Sequence, residues 1–272
     1  MSSEVTITGS DRDAQVSRAR QIGFYVTGGL FLLMCLAFFA LLPDPPILPL
    51  IVTGWFQPEA LGIHQLHETL SSGLFWSIVV GMLFTVARPA KTISALRQTL
   101  GILLAMVLLV FASGNLMEPT VMMTVLLVVA AITAVLHPAR ERLLRLQDGI
   151  QPWLLVLALA AAIPLLGYAF AQLQMQIGAS AADEHAAFGH WALMSGYALA
   201  IVICGGLGSL RSGGWRVPTW TAGILAVLFG LATFVLPGQA SGVSVTWGLL
   251  AVAWGLVFIV AGELLHTREA RA

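Results

Sequence analysis

The sequence predicts an all-α polytopic membrane protein: eight transmembrane helices, formed as a tandem duplication of a four-helix unit, with both termini cytoplasmic. Three observations carry this prediction. Of the 272 residues, 58% are hydrophobic and only 10% are charged, and the mean hydropathy is +0.90; that is the composition of a chain dissolved in lipid. Eight apolar segments, each near the ~20 residues needed to cross the hydrocarbon, follow one another along the chain. All thirteen Lys and Arg residues fall outside the apolar cores of these segments and on one side of the resulting topology.

The elements follow in order. The first segment, 21–42, stands behind a tail that carries Arg12, Arg18 and Arg20 among acidic residues. That segment is too long for the apolar region of a cleavable signal, so it is expected to stay in the mature chain. The second, 66–87, closes on Arg88 and Lys91, and the third, 97–115, begins at Arg97. The fourth and shortest, 120–137, ends on His137 with Arg140, Arg142 and Arg145 behind it. The fifth, 151–171, is followed by the sixth, 188–209, which closes on Arg211 and Arg216. The seventh, 218–237, leads to the eighth, 243–264, with His266, Arg268 and Arg271 beyond it. The positive-inside rule then sets both termini in the cytoplasm and the chain in the cell inner membrane. Asp44, Glu59, Glu68, Glu118, Asp183 and Glu184 stand on the opposite, outer side, which holds no basic residue.

The chain divides into a tail (1–20), a first four-helix repeat (21–146) and a second (147–272). His67 and Arg88 match His190 and Arg211 at one offset, and "LHPARERLL" from Leu136 matches "LHTREARA" from Leu265 with a few residues inserted between. An even number of helices per repeat gives both halves the same orientation, related by an axis along the membrane normal. Equivalent residues lining that axis meet at one depth, which is expected to bring His67 to His190 at the outer face and His137 to His266 at the inner one.

Those histidines are the candidate site. His64, His67 and Glu68 share one flank of the start of the second helix. His185 and His190 stand five apart and cannot both face inward from one helix, so His185 is expected to cap or precede the sixth helix, with Asp183 and Glu184 in its last loop turn or first helical turn, and His190 to face into the bundle. Three chemistries fit. Paired imidazoles on facing helices supply both axial ligands of a b-type haem: His67 with His190 outside, and His137 with His266 inside, giving an electron-transfer protein that exchanges electrons with quinone. Alternatively His64, His67, Glu68, Glu184, His185 and His190 hold a copper, zinc or iron ion at the outer face. The third is proton handling by Glu68 with its histidines and by Glu263. Set against all three is the ordinary use of histidine at helix ends, where it caps carbonyls or meets headgroups.

The layout of two four-helix units with histidines at helix ends resembles that of haem A synthase, and "GHWALMSGYALA" resembles the histidine-bearing helices of cytochrome b561. The resemblance implies haem ligation, but here the histidines of each half lie at opposite surfaces, whereas haem A synthase has a ligand pair at one depth in each half. No residue is assigned a catalytic role, and a structural or complex-assembly subunit is the remaining class. The outer loops 43–63 and 172–187 are the expected docking surface for a periplasmic or membrane partner. Basic residues spread over short loops give no nucleic-acid surface. Cys35 and Cys204, at different depths, are expected to be buried thiols.

Overall fold

The protein is described by a computed structural model covering residues 9–41, 55, 62–114, 118–145, 149–180 and 182–269. The helices are α1 (Gly9–Leu41), α2 (Gln65–Ala87), α3 (Ile93–Ser113), α4 (Glu118–Leu136), α5 (Pro152–Gly178), α6 (His190–Gly208), α7 (Arg216–Val235) and α8 (Val245–Glu269), with a single helical turn, Glu184–Ala187, ahead of α6. Seven of them are long and apolar enough to cross a membrane, and the described apolar stretch of α4, Val121–Leu136, is shorter. The chain is therefore an all-α, multi-span membrane protein. Helix formation itself needs little explanation here: in hydrocarbon every backbone N–H and C=O must be satisfied within its own segment.

Two rings of helices make up the architecture. In the first, α1 packs on α2, α2 on α3, α3 on α4 and α4 back on α1; in the second, α5, α6, α7 and α8 close in the same order. The rings meet through α2 and α3 of the first and α6 and α7 of the second. Burial follows from this: 67% of the spanning window is buried in α6 and α7, against 22% in α1, α5 and α8. The peripheral helices turn Val26, Leu33, Ile163 and Val260 outward, as lipid requires.

Close packing is written most plainly into α7 and α8. Gly248 and Gly255 recur at seven residues and face Gly230 and Gly223, and a methyl group at Gly223 would lie 2.7 Å from the Gly255 carbonyl oxygen. Small residues let two backbones approach until dispersion and Cα–H contacts replace side chains. At the basic end of the bundle the halves are tied by hydrogen bonds. Ser94 N donates to Gly213 O (3.1 Å) and the Ser94 and Ser212 hydroxyls are bonded to each other, while within the second half Gln151 N donates to Ser209 O (2.7 Å). In the interior, Gln98 Nε2 donates to Ser77 O (2.7 Å) and to Thr221 Oγ1 (3.2 Å), joining α3 to α2 and α7.

Three boundaries differ from those read off the sequence. α3 starts at Ile93, four residues before the segment read as 97–115, and the Arg97 guanidinium donates to the carbonyls of Leu143 (2.9 Å), Arg142 and Arg145 (2.8 Å). α1 starts at Gly9, within the stretch assigned to a tail. α5 runs to Gly178, so residues 172–178 are helix and the outer loop is shorter than 172–187. Two glutamines of this stretch lie on one buried face: Gln172 and Gln176, one turn apart, are each 6% exposed. Gln176 bonds across to Ala186 O and Ala192 N. Of the loop 43–63, all but Trp55, Gly62 and Ile63 lies outside the described residues.

Candidate functional site

At the end of the bundle opposite the basic loops, four imidazoles gather: His64 and His67 from the start of α2, His190 from the start of α6, and His185 from the turn before it. The local sequence explains how His185 joins them. Asp183 caps its turn by accepting from Ala186 N (3.0 Å), and Gly189, at φ +70°, breaks the helix before His190. Glycine adopts this left-handed conformation without a Cβ penalty. His185 therefore precedes α6, as expected, and its ring still reaches the cluster beside the inward-facing His190.

The rings stand close together. His67 and His190 are stacked at 5.0 Å with planes 8° apart. His64 lies 4.8 Å from His190, and His185 lies 4.8 Å from both His64 and His67. Trp191 stacks on His185 at 5.0 Å, and Phe188 on His190 at 5.6 Å.

Hydrogen bonds fix which nitrogens carry protons. Ser241 Oγ donates to Gln172 Oε1 (2.6 Å) and so offers His67 Nε2, at 2.9 Å, only a lone pair. His67 must then be protonated on Nε2, which leaves Nδ1 bare. That Nδ1 is buried and has no hydrogen-bond partner, an arrangement costing about 1–3 kcal/mol. His190 follows the same logic: Nε2 donates to Glu68 Oε1 at 3.2 Å, and Nδ1 faces His64 Nδ1 at 3.0 Å. His64 Nε2 in turn lies 3.6 Å from Glu184 Oε2. With Nε2–H of His190 given to Glu68, its Nδ1 is a lone pair that accepts from His64 Nδ1–H, or shares a cation with His64 Nδ1 once that proton is lost.

The second row around the imidazoles was not legible as a site. Ser241, in the α7–α8 loop, is the one non-glycine at positive φ (65°) among the described residues, and its carbonyl accepts from Tyr168 OH (2.8 Å). A left-handed serine held by three hydrogen bonds marks a position the surrounding structure over-determines. The sequence offers little signal for it, since "QASGVS" holds no histidine and no charged residue.

Fit to a metal ion can be tested on these distances. Two nitrogens on one tetrahedral ion at about 2.05 Å lie roughly 3.3 Å apart, close to the 3.0 Å between His64 and His190. Among the described residues, no three His, Cys, Asp or Glu side chains are arranged to hold an ion as they stand. His185 is committed elsewhere, with Nε2 donating to Ile63 O (3.2 Å). For a haem, the face-to-face stacking of His67 on His190 leaves no gap for a macrocycle without both rings turning and separating.

The inner histidines are not brought together. All hydrogen bonds and ring contacts of His137 lie in the first half: Nδ1 accepts from Ala139 N (3.0 Å) and the ring meets Phe24 edge-on at 5.1 Å. Burial pushes its imidazole down to about 4. His266 donates from Nε2 to Gly208 O (3.1 Å) and stacks on Trp215 at 4.0 Å, in the second half. The expected inner pair for a second haem thus has no direct contact. Glu263, a candidate for proton handling, is bound by Arg216 (2.8 Å) and Trp220 Nε1 (2.9 Å). Cys35 and Cys204 are free and buried, as expected.

Fold and site together define a class: an α-helical multi-span membrane protein with buried His–His and His–Glu pairs at one end. No known protein family matches the chain, and no curated protein or solved structure is similar to it.

Proposed function

We propose that the protein binds a transition-metal ion, of the copper, zinc or iron group, through Nδ1 of His64, His67 and His190. One observation carries this reading. His67 and His190 have Nε2 hydrogen-bonded to Ser241 and Glu68, and His64 Nε2 lies 3.6 Å from Glu184, which leaves Nδ1 of His67 bare and sets Nδ1 of His64 and His190 against each other at 3.0 Å. Metal-binding histidines are characteristically oriented in this way, with the second nitrogen donating to a carboxylate or oxygen acceptor. Ring-centre spacings of 4.8 and 5.0 Å are near the roughly 5.2 Å of imidazoles sharing a tetrahedral ion. The rings need to turn more than to travel. With copper or iron the site supports electron transfer; a b-type haem on His67 and His190 is the second reading, and the resemblance to haem A synthase is its support.

The architecture proposed with it is eight spans in two parallel four-helix repeats, with both termini cytoplasmic and the histidine cluster outside. The identical ring order of the halves supports this. So does a shared offset: His67 and His190, stacked across the interface, are 123 residues apart, and so are the hydrogen-bonded Gln98 and Thr221. Residues related by a two-fold axis touch their own equivalents only on that axis.

Elemental analysis and an absorption spectrum of one purified sample test the reading. The expected result is one equivalent of metal, lost in His64→Ala and His190→Ala, with no Soret band. A Soret band lost in His67→Ala establishes the haem reading instead. Folded protein from metal-replete cells carrying neither overturns both.

A further inference from the structure

Within the second ring lies an apolar cavity of about 460 Å³, a size within the range of small-molecule sites. α5 and α8 form its sides and α7 part of its floor, and its wall of small and aliphatic side chains includes four aromatic rings: Tyr168, Phe229, Trp247 and Trp254. α5 and α8 touch much less than the other neighbours in that ring, so the cavity faces the lipid between them. Pro164 sits inside α5 at its edge. Lacking an N–H, it leaves the Ala160 carbonyl without its helical donor, and Ala160 also lines the cavity. The Trp247 indole N–H donates to no protein group among the described residues, whereas that of Trp254 is used by Leu157 O.

This cavity is joined to the histidine cluster. Tyr168, in its wall, donates to Ser241 O, and Ser241 Oγ accepts from His67 Nε2. One phenol and one serine therefore separate an apolar, lipid-facing chamber from a buried imidazole with a bare nitrogen.

We propose that the cavity binds the ring of a lipid-soluble quinone, entering from the bilayer between α5 and α8. Flat aromatic walls suit a planar ring, which stacks on them with offset faces. Trp247 supplies a donor for a quinone carbonyl, and Ala160 an acceptor for the hydroxyl of the reduced form. An acyl chain uses none of these polar groups. The choice of a redox-active ring over any other flat apolar molecule rests on the metal site proposed above; occupancy of the cavity does not.

The test uses full-length protein in detergent micelles, titrated with decylubiquinone while intrinsic tryptophan fluorescence is read, with 1-decanol as the ringless control. Saturable quenching by the quinone, undiminished by excess decanol, is expected. It should be lost in Ala161→Phe, which fills the chamber, and weakened in Trp247→Phe, with metal content unchanged in both. Displacement by decanol identifies a lipid-chain groove and overturns the proposal, as does quenching that never saturates or that survives Ala161→Phe. Quinone binding in a protein that carries no metal leaves the cavity assignment standing and removes the metal reading, so the two failures are distinguishable.

Discussion

Replacing Ser241 separates its two roles, because the side chain anchors His67 while the backbone bears a conformational cost. Ser241→Ala removes the hydroxyl and keeps a Cβ at φ 65°. Nε2–H of His67 and Oε1 of Gln172 then lose the partner they held at 2.9 and 2.6 Å. Leaving such buried groups unsatisfied costs about 1–3 kcal/mol each at most. Ser241→Gly loses the same hydroxyl but releases the left-handed strain, which is worth roughly 1–2 kcal/mol. The glycine variant should therefore be more stable than the alanine variant by about 1 kcal/mol, as read by the unfolding midpoint in mixed micelles titrated with sodium dodecyl sulfate. Metal affinity should respond to the hydroxyl alone. Loss of an outer-shell partner typically weakens binding by 10–100-fold, about 1.4–2.7 kcal/mol, and should do so equally in the two variants. Competition with a chromophoric chelator measures this for zinc. Wild-type affinity in either variant refutes the argument that Ser241 sets the His67 tautomer, and equal stability of the two variants refutes the strain.

Two further outcomes follow from groups away from the cluster. Burial lowers the His137 imidazole from 6.5 to about 4, so between those values the unfolded chain binds more protons than the folded one. Stability should fall as pH drops from about 6.5 to about 4 and change no further from this group below that; His137→Gln should flatten that window in the same unfolding assay. Gly223→Ala sets a methyl group 2.7 Å from the Gly255 carbonyl oxygen, forcing α7 and α8 apart. A loss of about 1–3 kcal/mol is expected, and a variant as stable as wild type would show that the seam is not tightly packed.

Much of the fold was legible because lipid imposes one simple rule. A segment must be apolar, about 20 residues long and helical, and the basic residues punctuate such segments independently. The boundaries were less legible wherever polar residues lie on a buried face: Gln172 and Gln176 continue α5, although their type suggests a loop. The cluster was half visible. Spacing placed His64, His67 and Glu68 on one flank and set His185 ahead of its helix, but the turn of its ring into the cluster depends on Gly189, whose left-handed backbone no helical periodicity describes. Ser241 was out of reach for a different reason. Its role depends on a contact made 174 residues from His67, and no local pattern encodes such a pairing. The inner histidines failed as a pair because each found closer partners, Phe24 and Ala139 for His137, and Trp215 and Gly208 for His266.

On the proposed duplication, symmetry accounts for the meeting of the two central imidazoles but not for their chemistry. His67 and His190 correspond, yet their neighbours do not: the counterpart of Glu68 is Trp191, that of His64 is Ala187, and that of His185 is Gly62. The cluster therefore has two unlike sides. Toward His190 and His64 stand carboxylates, of which Glu184 is 68% exposed and open to water. Toward His67 stand the Trp191 ring at 5.4 Å and the Ser241 hydroxyl at 2.9 Å, with Tyr168 and the lipid-facing cavity behind. A strictly symmetric pair would surround both imidazoles with one environment and give an ion no preferred direction for exchange. On the proposed metal and quinone sites, the divergence of the halves supplies one, with cations and protons expected past the glutamates and the quinone past the tyrosine.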